Sequence, residues 1–198
     1  MKNNSWLSPT TLSGQLVTLE PLSQSHCGEL KEACQDGELW KLWFTSVPSP
    51  DKVNSYVSDA LTQQAANNAL PFVVIDNKSQ KLIGSTRYCN IDNQNKRLEI
   101  GYTWYASSFQ RTGVNTETKY LLLNHAFENL KVIATELRTS NYNHRSQQAI
   151  LRLGAKLDGV LRNHQQLPTG GYRDTHVYSI TNNDWPAVKQ HLRFKMQR

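Results

Sequence analysis

The run from Arg97 to Ser140 constrains the fold more than any other stretch. It reads "RLEIGYTWY", then the polar "SFQRTGVNTETK", then "YLLLNHAFENL", then "KVIATELRTS". The first and last segments are rich in β-branched and aromatic residues and read as strands. Between them Tyr120, Leu123, Phe127 and Leu130 share one helical face, and Leu121, Leu122 and Ala126 widen it, so the helix should be largely buried. A strand, a buried helix and a second strand form a right-handed crossover, which makes the two strands parallel and lays the helix on their sheet.

The flanking sequence surrounds this unit with antiparallel structure. "QLVTLEPL" (Gln15 to Leu22) reads as a first strand. Two helices follow: "SQSHCGELKEACQDGELWKLW", with Ser23 or Ser25 able to cap its start and an interruption near Gly37, and "DKVNSYVSDALTQQAA", with Val53, Tyr56, Val57, Ala60 and Leu61 at helical spacing. "PFVVIDN", "KLIGSTRYCNI" and "KRLEIGYTWY", separated by polar turns, read as consecutive antiparallel strands. Beyond the crossover, "SQQAILRLG" is a short helix ended by Gly154. "LDGVLRNHQQL" and "YRDTHVYSIT" form a hairpin around Pro168 to Gly171, and Asn183 or Asp184 caps a last helix with Pro186 in its first turn. The expected class is α/β of the mixed α+β kind, a central twisted mixed sheet of about seven strands flanked by helices. With 198 residues, we expect one domain over 1–198, its first 14 residues an irregular extension.

Composition narrows the function. No apolar run reaches the roughly 18 residues that span a bilayer, and the N-terminus lacks the apolar core of a signal peptide, so a cytoplasmic location and no membrane partner are expected. The three cysteines, Cys27, Cys34 and Cys89, are odd in number and lack metal-type spacing. Nor are any of the six histidines spaced as a metal pair, so no metal is expected. The net charge of +6 eases association with anions. Four of those charges, Lys189, Arg193, Lys195 and Arg198, lie in the C-terminal tail. Without an aromatic-interleaved basic stripe, that tail reads as a solvated helix rather than a nucleic-acid arm.

The polar loop admits two readings. It is either an ordinary turn or a phosphate cradle at a helix start, where first-turn N–H groups point outward. Gly113 permits close approach or positive φ, Asn115 tolerates the left-handed region, Thr116 can cap the helix, and Arg111 adds a positive charge.

The element order together with "EIGYTWY…FQRTGVNTE" resembles the GCN5-related N-acetyltransferases (GNAT), especially the RimJ/RimL-like branch. In that family a (Q/R)xxGx(G/A) loop holds the coenzyme A pyrophosphate. Gln110 and Gly113 match its first two fixed positions, whereas Asn115 stands where Gly or Ala is usual. Its side chain should either point away from the phosphates or contribute an amide hydrogen bond. "NHRSQQAILRLGA" is similar to a second family signature, with Asn143, Ser146, Arg152 and Gly154 on its fixed positions. The closing hairpin resembles the family's cover over the acceptor. The resemblance implies acetyl-CoA as cosubstrate, held by Tyr102, Trp104, Gln110, Arg111, Thr112, Gly113, Val114, Asn115, Thr116, Asn143 and Arg152. It further implies an amine acceptor, and a homodimer is compatible with it.

Direct transfer from a thioester to an amine needs a deprotonated amine, donors on the thioester carbonyl and relief of charge on the leaving thiolate. Period-two alternation places Glu99, Gly101, Thr103 and Tyr105 on one face of their strand and Leu98, Ile100, Tyr102 and Trp104 on the other. Glu99, beside the open Gly101, is the candidate base; an ion pair with Arg87 or Arg97 is the structural alternative. Backbone amides between Tyr102 and Tyr105 are candidate carbonyl donors. Ile150 occupies the position where many family members carry an acidic Tyr, which leaves Ser146 as candidate donor to the thiolate; the alternative is that it caps its helix. His164 and His176 could line an acceptor pocket, while Cys89 lacks an evident base for thiol chemistry. Trp40, Trp43, Phe44, Arg87 and Tyr172 are candidate acceptor contacts. The acceptor is expected to be a protein N-terminus, with a small-molecule amine or a non-catalytic acyl-CoA-binding module as alternatives.

Overall fold

The computed structural model describes residues 6–167 and 170–197. The crossover consists of strand β5 (Arg97–Tyr105), helix α3 (Val114–Asn124), a π-turn over His125–Asn129, and strand β6 (Ala134–Ser140). As the buried helix requires, β5 and β6 are parallel. Before it come β1 (Leu12–Ser13), β2 (Val17–Pro21), α1 (Cys27–Gln35), α2 (Val53–Ala65), β3 (Ala69–Asp76) and β4 (Leu82–Asp92). After it come α4 (His144–Arg152), β7 (Lys156–Gln166), β8 (Tyr172–Thr181) and α5 (Trp185–Met196). The strands make one sheet in the order β1-β2-β3-β4-β5-β6-β8-β7, and every neighbouring pair except β5–β6 is antiparallel.

Among the described residues the sheet has eight strands rather than about seven. The additional one is β1, inside the segment expected to be irregular. Leu12 and Ser13 fold back on Leu19 and Thr18, a pairing too short to show as periodicity. Pro168 and Thr169 of the expected hairpin turn lie outside the described residues, but β7 and β8 pair on either side of them.

Helices cover both faces of the sheet. On one face Leu98, Ile100, Leu122, Leu123, Phe127, Ile180 and Leu192 form a core with α3 and α5. On the other, Leu30, Val53, Val57, Ala60, Val73 and Trp104 form a second core with α1 and α2. No helix among the described residues is long and apolar enough to cross a membrane. Gly84 on β4 lies hard against the backbone of β5. A Cβ there would press on the Trp104 carbonyl oxygen and come within 2.9 Å of the Tyr105 Cα. Because those atoms are backbone, they cannot turn aside. Gly84→Ala is therefore expected to cost about 3 kcal/mol and to lower Tm by ~6–12 °C for a chain of this size in thermal denaturation.

Candidate active site

The site begins where β5 leaves β6. The two strands pair only through Arg97–Ala134, Leu98–Thr135 and Glu99–Glu136, and the ladder stops after Glu99. On its other side β5 carries a bulge: Arg87 lies opposite Gly101 but Ser85 lies opposite Trp104, so β5 has one extra residue. Tyr102 takes the left-handed φ of 52° within it.

The bulge corrects the simple alternation expected for this strand. Tyr105 joins Leu98 and Ile100 in the α3 core, whereas Trp104 enters the α1/α2 core. The Thr103 hydroxyl receives the Lys119 ammonium of α3 at 2.6 Å. An inserted residue moves every later side chain to the opposite face, and no glycine marks the position because Tyr102 itself bears the unfavourable φ.

Glu99 is 8 % exposed. Its Oε2 accepts from Asn90 Nδ2 at 2.7 Å and lies 3.4 Å from Arg138 Nε. The expected alternative partners are not the ones it uses. Arg97 pairs with Glu136 at 2.8 Å, Arg87 makes no ion pair among the described residues, and Arg138 bridges Glu99 and Glu136. Parallel register explains this, since Glu136 sits directly beside Glu99 and brings Arg138, two residues on, to the same face. Burial, above all, pushes the Glu99 carboxyl above the usual range; the Asn90 hydrogen bond and Arg138 oppose that, and Glu136 reinforces it. A Cβ at residue 101 would stand 3.0 Å from both Glu99 Oε1 and Cys89 Sγ. Gly101 thus keeps Oε1 uncovered, and Oε1 receives no hydrogen bond from the described residues. Burial pushes the Cys89 thiol far up, which removes it as a thiolate nucleophile near neutral pH.

Lys119 escaped the sequence reading, although it precedes Leu122, Leu123 and Ala126 by helical steps toward the buried face. It is 6 % exposed and has no carboxylate within ion-pair distance among the described residues. Its donor bond to Thr103 continues to Thr86, whose hydroxyl lies 2.7 Å from that of Thr103. Burial brings the ammonium down to about 7, against the opposing influence of Cys89 and Glu99. Because the folded chain holds this proton more weakly than the unfolded one, stability should rise with pH from about 7 toward the ordinary lysine value of 10.5. Lys119→Met is expected to raise Tm by roughly 5–10 °C at pH 6, with the gain shrinking toward pH 10. Calorimetry across that range would show whether the slope disappears.

The loop before α3 departs from expectation in two details. The positive φ belongs to Arg111 (60°), while Gly113 sits at the N-cap with φ −67°. Thr116 lies inside the first turn rather than capping it; Thr112 Oγ1 accepts from Val114 N at 3.3 Å. Leu16 lies against Gly113, where a Cβ would stand 2.7 Å from Leu16 Cδ1 and that exposed side chain would have to shift. The Asn115 side chain is held by Tyr105, whose hydroxyl donates to Oδ1 at 3.3 Å, and Gln110 donates to the Tyr105 carbonyl at 3.1 Å. The first-turn amides lack intrahelical acceptors and stand at the positive end of the helix dipole, beside the exposed Arg111. These features fit a bound pyrophosphate.

Glu117, buried one turn into α3, was also not anticipated. Its carboxylate accepts from the backbone N–H groups of Gln15, Leu16 and Val17 at 2.9, 2.6 and 2.8 Å. It thereby ties the β1–β2 turn to the loop. An acidic residue in a first helical turn is too common a feature to reveal a contact across about a hundred residues.

At the start of α4, Asn143 rather than Ser146 is the cap: its Oδ1 accepts from Ser146 N at 3.1 Å, and the Ser146 hydroxyl makes no hydrogen bond among the described residues. Arg152 lies exposed in the last turn of α4, and its carbonyl accepts from Lys195 of α5. The aromatic cluster divides. Trp40 packs on the α1/α2 core, while exposed Trp43 meets Phe44 at 5.5 Å and Tyr142 at 4.9 Å between ring centroids. Tyr142, beside Asn143, was not foreseen. Arg87 lies between the rings of Tyr56 and Tyr102. Tyr172 is exposed at the start of β8. His164 and His176 are turned to Thr175 and Tyr178.

A parallel pair that parts in mid-sheet beside a helix start with free amides is the arrangement that the resemblance to acyl-coenzyme A-dependent transferases leads one to expect. The chain belongs to the GNAT acetyltransferase family: the "Acetyltransferase (GNAT) domain" matches residues 17–156. It is an N-acetyltransferase that transfers an acetyl group from acetyl-CoA to an amine. It is 26% identical over 175 residues to the Bacillus subtilis protein YdaF, provisionally named a ribosomal N-acetyltransferase, covering 86% of this chain and 92% of that one. It is 23% identical over 177 residues to the Escherichia coli ribosomal-protein-serine acetyltransferase, covering 87% and 97%. The crystal structure of a GCN5-related N-acetyltransferase from Brucella melitensis superposes with a TM-score of 0.85 at 28% identity, covering 96% of this chain and 86% of that one. The structure of Mycobacterium smegmatis RimJ shares the fold, with a TM-score of 0.78 at 20% identity, covering 94% of this chain and 95% of that one.

Proposed function

We propose that the acceptor is the amino terminus of a protein and that Glu99 receives its proton. The observation that carries this reading is the uncovered Glu99 Oε1 beside Gly101, at the point where β5 parts from β6. Acetyl-CoA supplies an activated acetyl thioester. The α3 first turn, with Gln110 to Thr116, would hold its pyrophosphate, and Asn143, the cap of α4 after β6, would contact the pantetheine arm. Amides of the bulged segment from Tyr102 to Tyr105 are suited to donate to the thioester carbonyl. The new N–C bond forms as the C–S bond breaks. The amine proton passes to Glu99, directly or through water, and the thiolate leaves hydrogen-bonded to the Ser146 hydroxyl before taking up a proton. A protein acceptor draws support from the names of YdaF and the Escherichia coli relative, both ribosomal acetyltransferases.

The test is a thermal-shift titration with acetyl-CoA, coenzyme A and nicotinamide cofactors, followed by thiol-release assays over peptide and small-amine panels. Stabilisation by the coenzyme A forms alone and release with N-terminal peptides are expected. Release only with small amines would reassign the acceptor. Ser146→Ala should lower kcat about tenfold, the size of one hydrogen bond made mainly to the thiolate; full activity would remove Ser146 from the reaction.

A further inference from the structure

Arg87 is the one strongly buried guanidinium whose charge the fold leaves unanswered among the described residues. It is 5 % exposed, its Nε has no hydrogen-bond partner, and no carboxylate pairs with it. It is held instead by rings, 4.0 Å from the Tyr102 centroid and 4.8 Å from that of Tyr56. Rings engage the face of a guanidinium but accept none of its in-plane N–H groups. These residues, with Asp59, Thr62 and Gln63, line a cavity of about 380 Å³. Asp59 stands exposed on its wall, outside ion-pair distance of Arg87, where water screens its charge. Tyr102 takes its left-handed φ inside the β4–β5 bulge, and its ring meets Arg87 from there.

We infer that Arg87 receives a carboxylate of the acceptor. An unpaired buried cation is costly unless an anion meets it, and the planar fork of arginine matches a carboxylate with two parallel hydrogen bonds. Placement sets the rest. Arg87 lies opposite Gly101 and Glu99 lies opposite Cys89, so Arg87 and Glu99 are diagonal neighbours on one face, about 7–8 Å apart at the backbone. An acceptor whose amine approaches Glu99 and whose acid reaches Arg87 carries the two groups a few bonds apart. An Asp or Glu beside a peptide amino terminus satisfies that spacing, as does a free amino acid. This inference rests on the acetyl-transfer reading above and narrows its acceptor.

The test measures binding to the coenzyme A complex by calorimetry, so that it does not depend on turnover. Coenzyme A affinity is determined first; its absence would remove the acetyl-transfer reading, and this inference with it. One arm compares the peptide amide Ser-Asp-Ala-Ala with Ser-Asn-Ala-Ala, the other compares free aspartate with asparagine amide. In at least one arm the carboxylate probe is expected to bind ten or more times tighter, and the arm that shows it identifies the source. Arg87→Gln should bring the pair to parity with coenzyme A affinity within about twofold of the wild type, and Arg87→Lys should retain part of the preference. Equal binding of acid and amide in both arms, no binding of any probe, or a preference that survives Arg87→Gln would overturn the inference. If the Gln variant fails to fold, Arg87→Lys carries the comparison: a preference undiminished from the wild type overturns the inference.

Discussion

Glu99→Gln is expected to lower kcat by about 10²–10³, the range for loss of a positioned general base, while coenzyme A affinity stays within about twofold. The substitution keeps the volume and an oxygen for Asn90, and Arg138 retains Glu136, so Tm should change by only a few degrees. The pH profile gives the sharper result. Burial raises the Glu99 carboxyl, and only the carboxylate can take a proton. In the wild type kcat/KM should therefore fall as pH drops through a value above the ordinary glutamate range, and this limb should vanish in the variant. Unchanged kcat, or a variant that keeps the limb, would sink the assignment.

Glu117→Ala should have the largest effect on stability. One carboxylate answers three backbone N–H groups of the β1–β2 turn, and each buried orphan costs about 1–3 kcal/mol. Water can reach part of this turn, so a net loss of about 3–5 kcal/mol and a fall in Tm of ~10–15 °C are expected. Glu117→Gln should recover little, because its NH₂ group faces amides that also donate. Leu16 rests on Gly113, so freeing the turn should also weaken coenzyme A binding several-fold, which separates this variant from Glu99→Gln. A melting point within 2 °C of wild type would show that the tie carries no such energy.

Much of the architecture was legible because it rests on short-range periodicity. The apolar face from Tyr120 to Leu130 required a buried helix, and the strands around it then had to be parallel. The loop from Gln110 to Thr116 was legible as a helix start for the same reason, though its details were not. Arg111 rather than Gly113 bears the positive φ, and Asn115 is occupied by Tyr105. The Tyr105 contact depends on which side of β5 packs on α3, and the bulge at Tyr102 decides that.

The local pattern of side chains by itself determined the crossover, a helix start after the polar loop and Glu99 as a carboxylate beside a glycine, and left open whether that loop is a turn or a phosphate cradle. Only the tertiary structure decided what answers each charge. Register set Arg138 and Asn90 on Glu99, chain return placed three amides on Glu117, and enclosure left Lys119 and Arg87 without a carboxylate. The physical reason is range. Periodicity reports which face of an element is apolar, whereas the energy of a buried charge depends on groups brought near it from far along the chain.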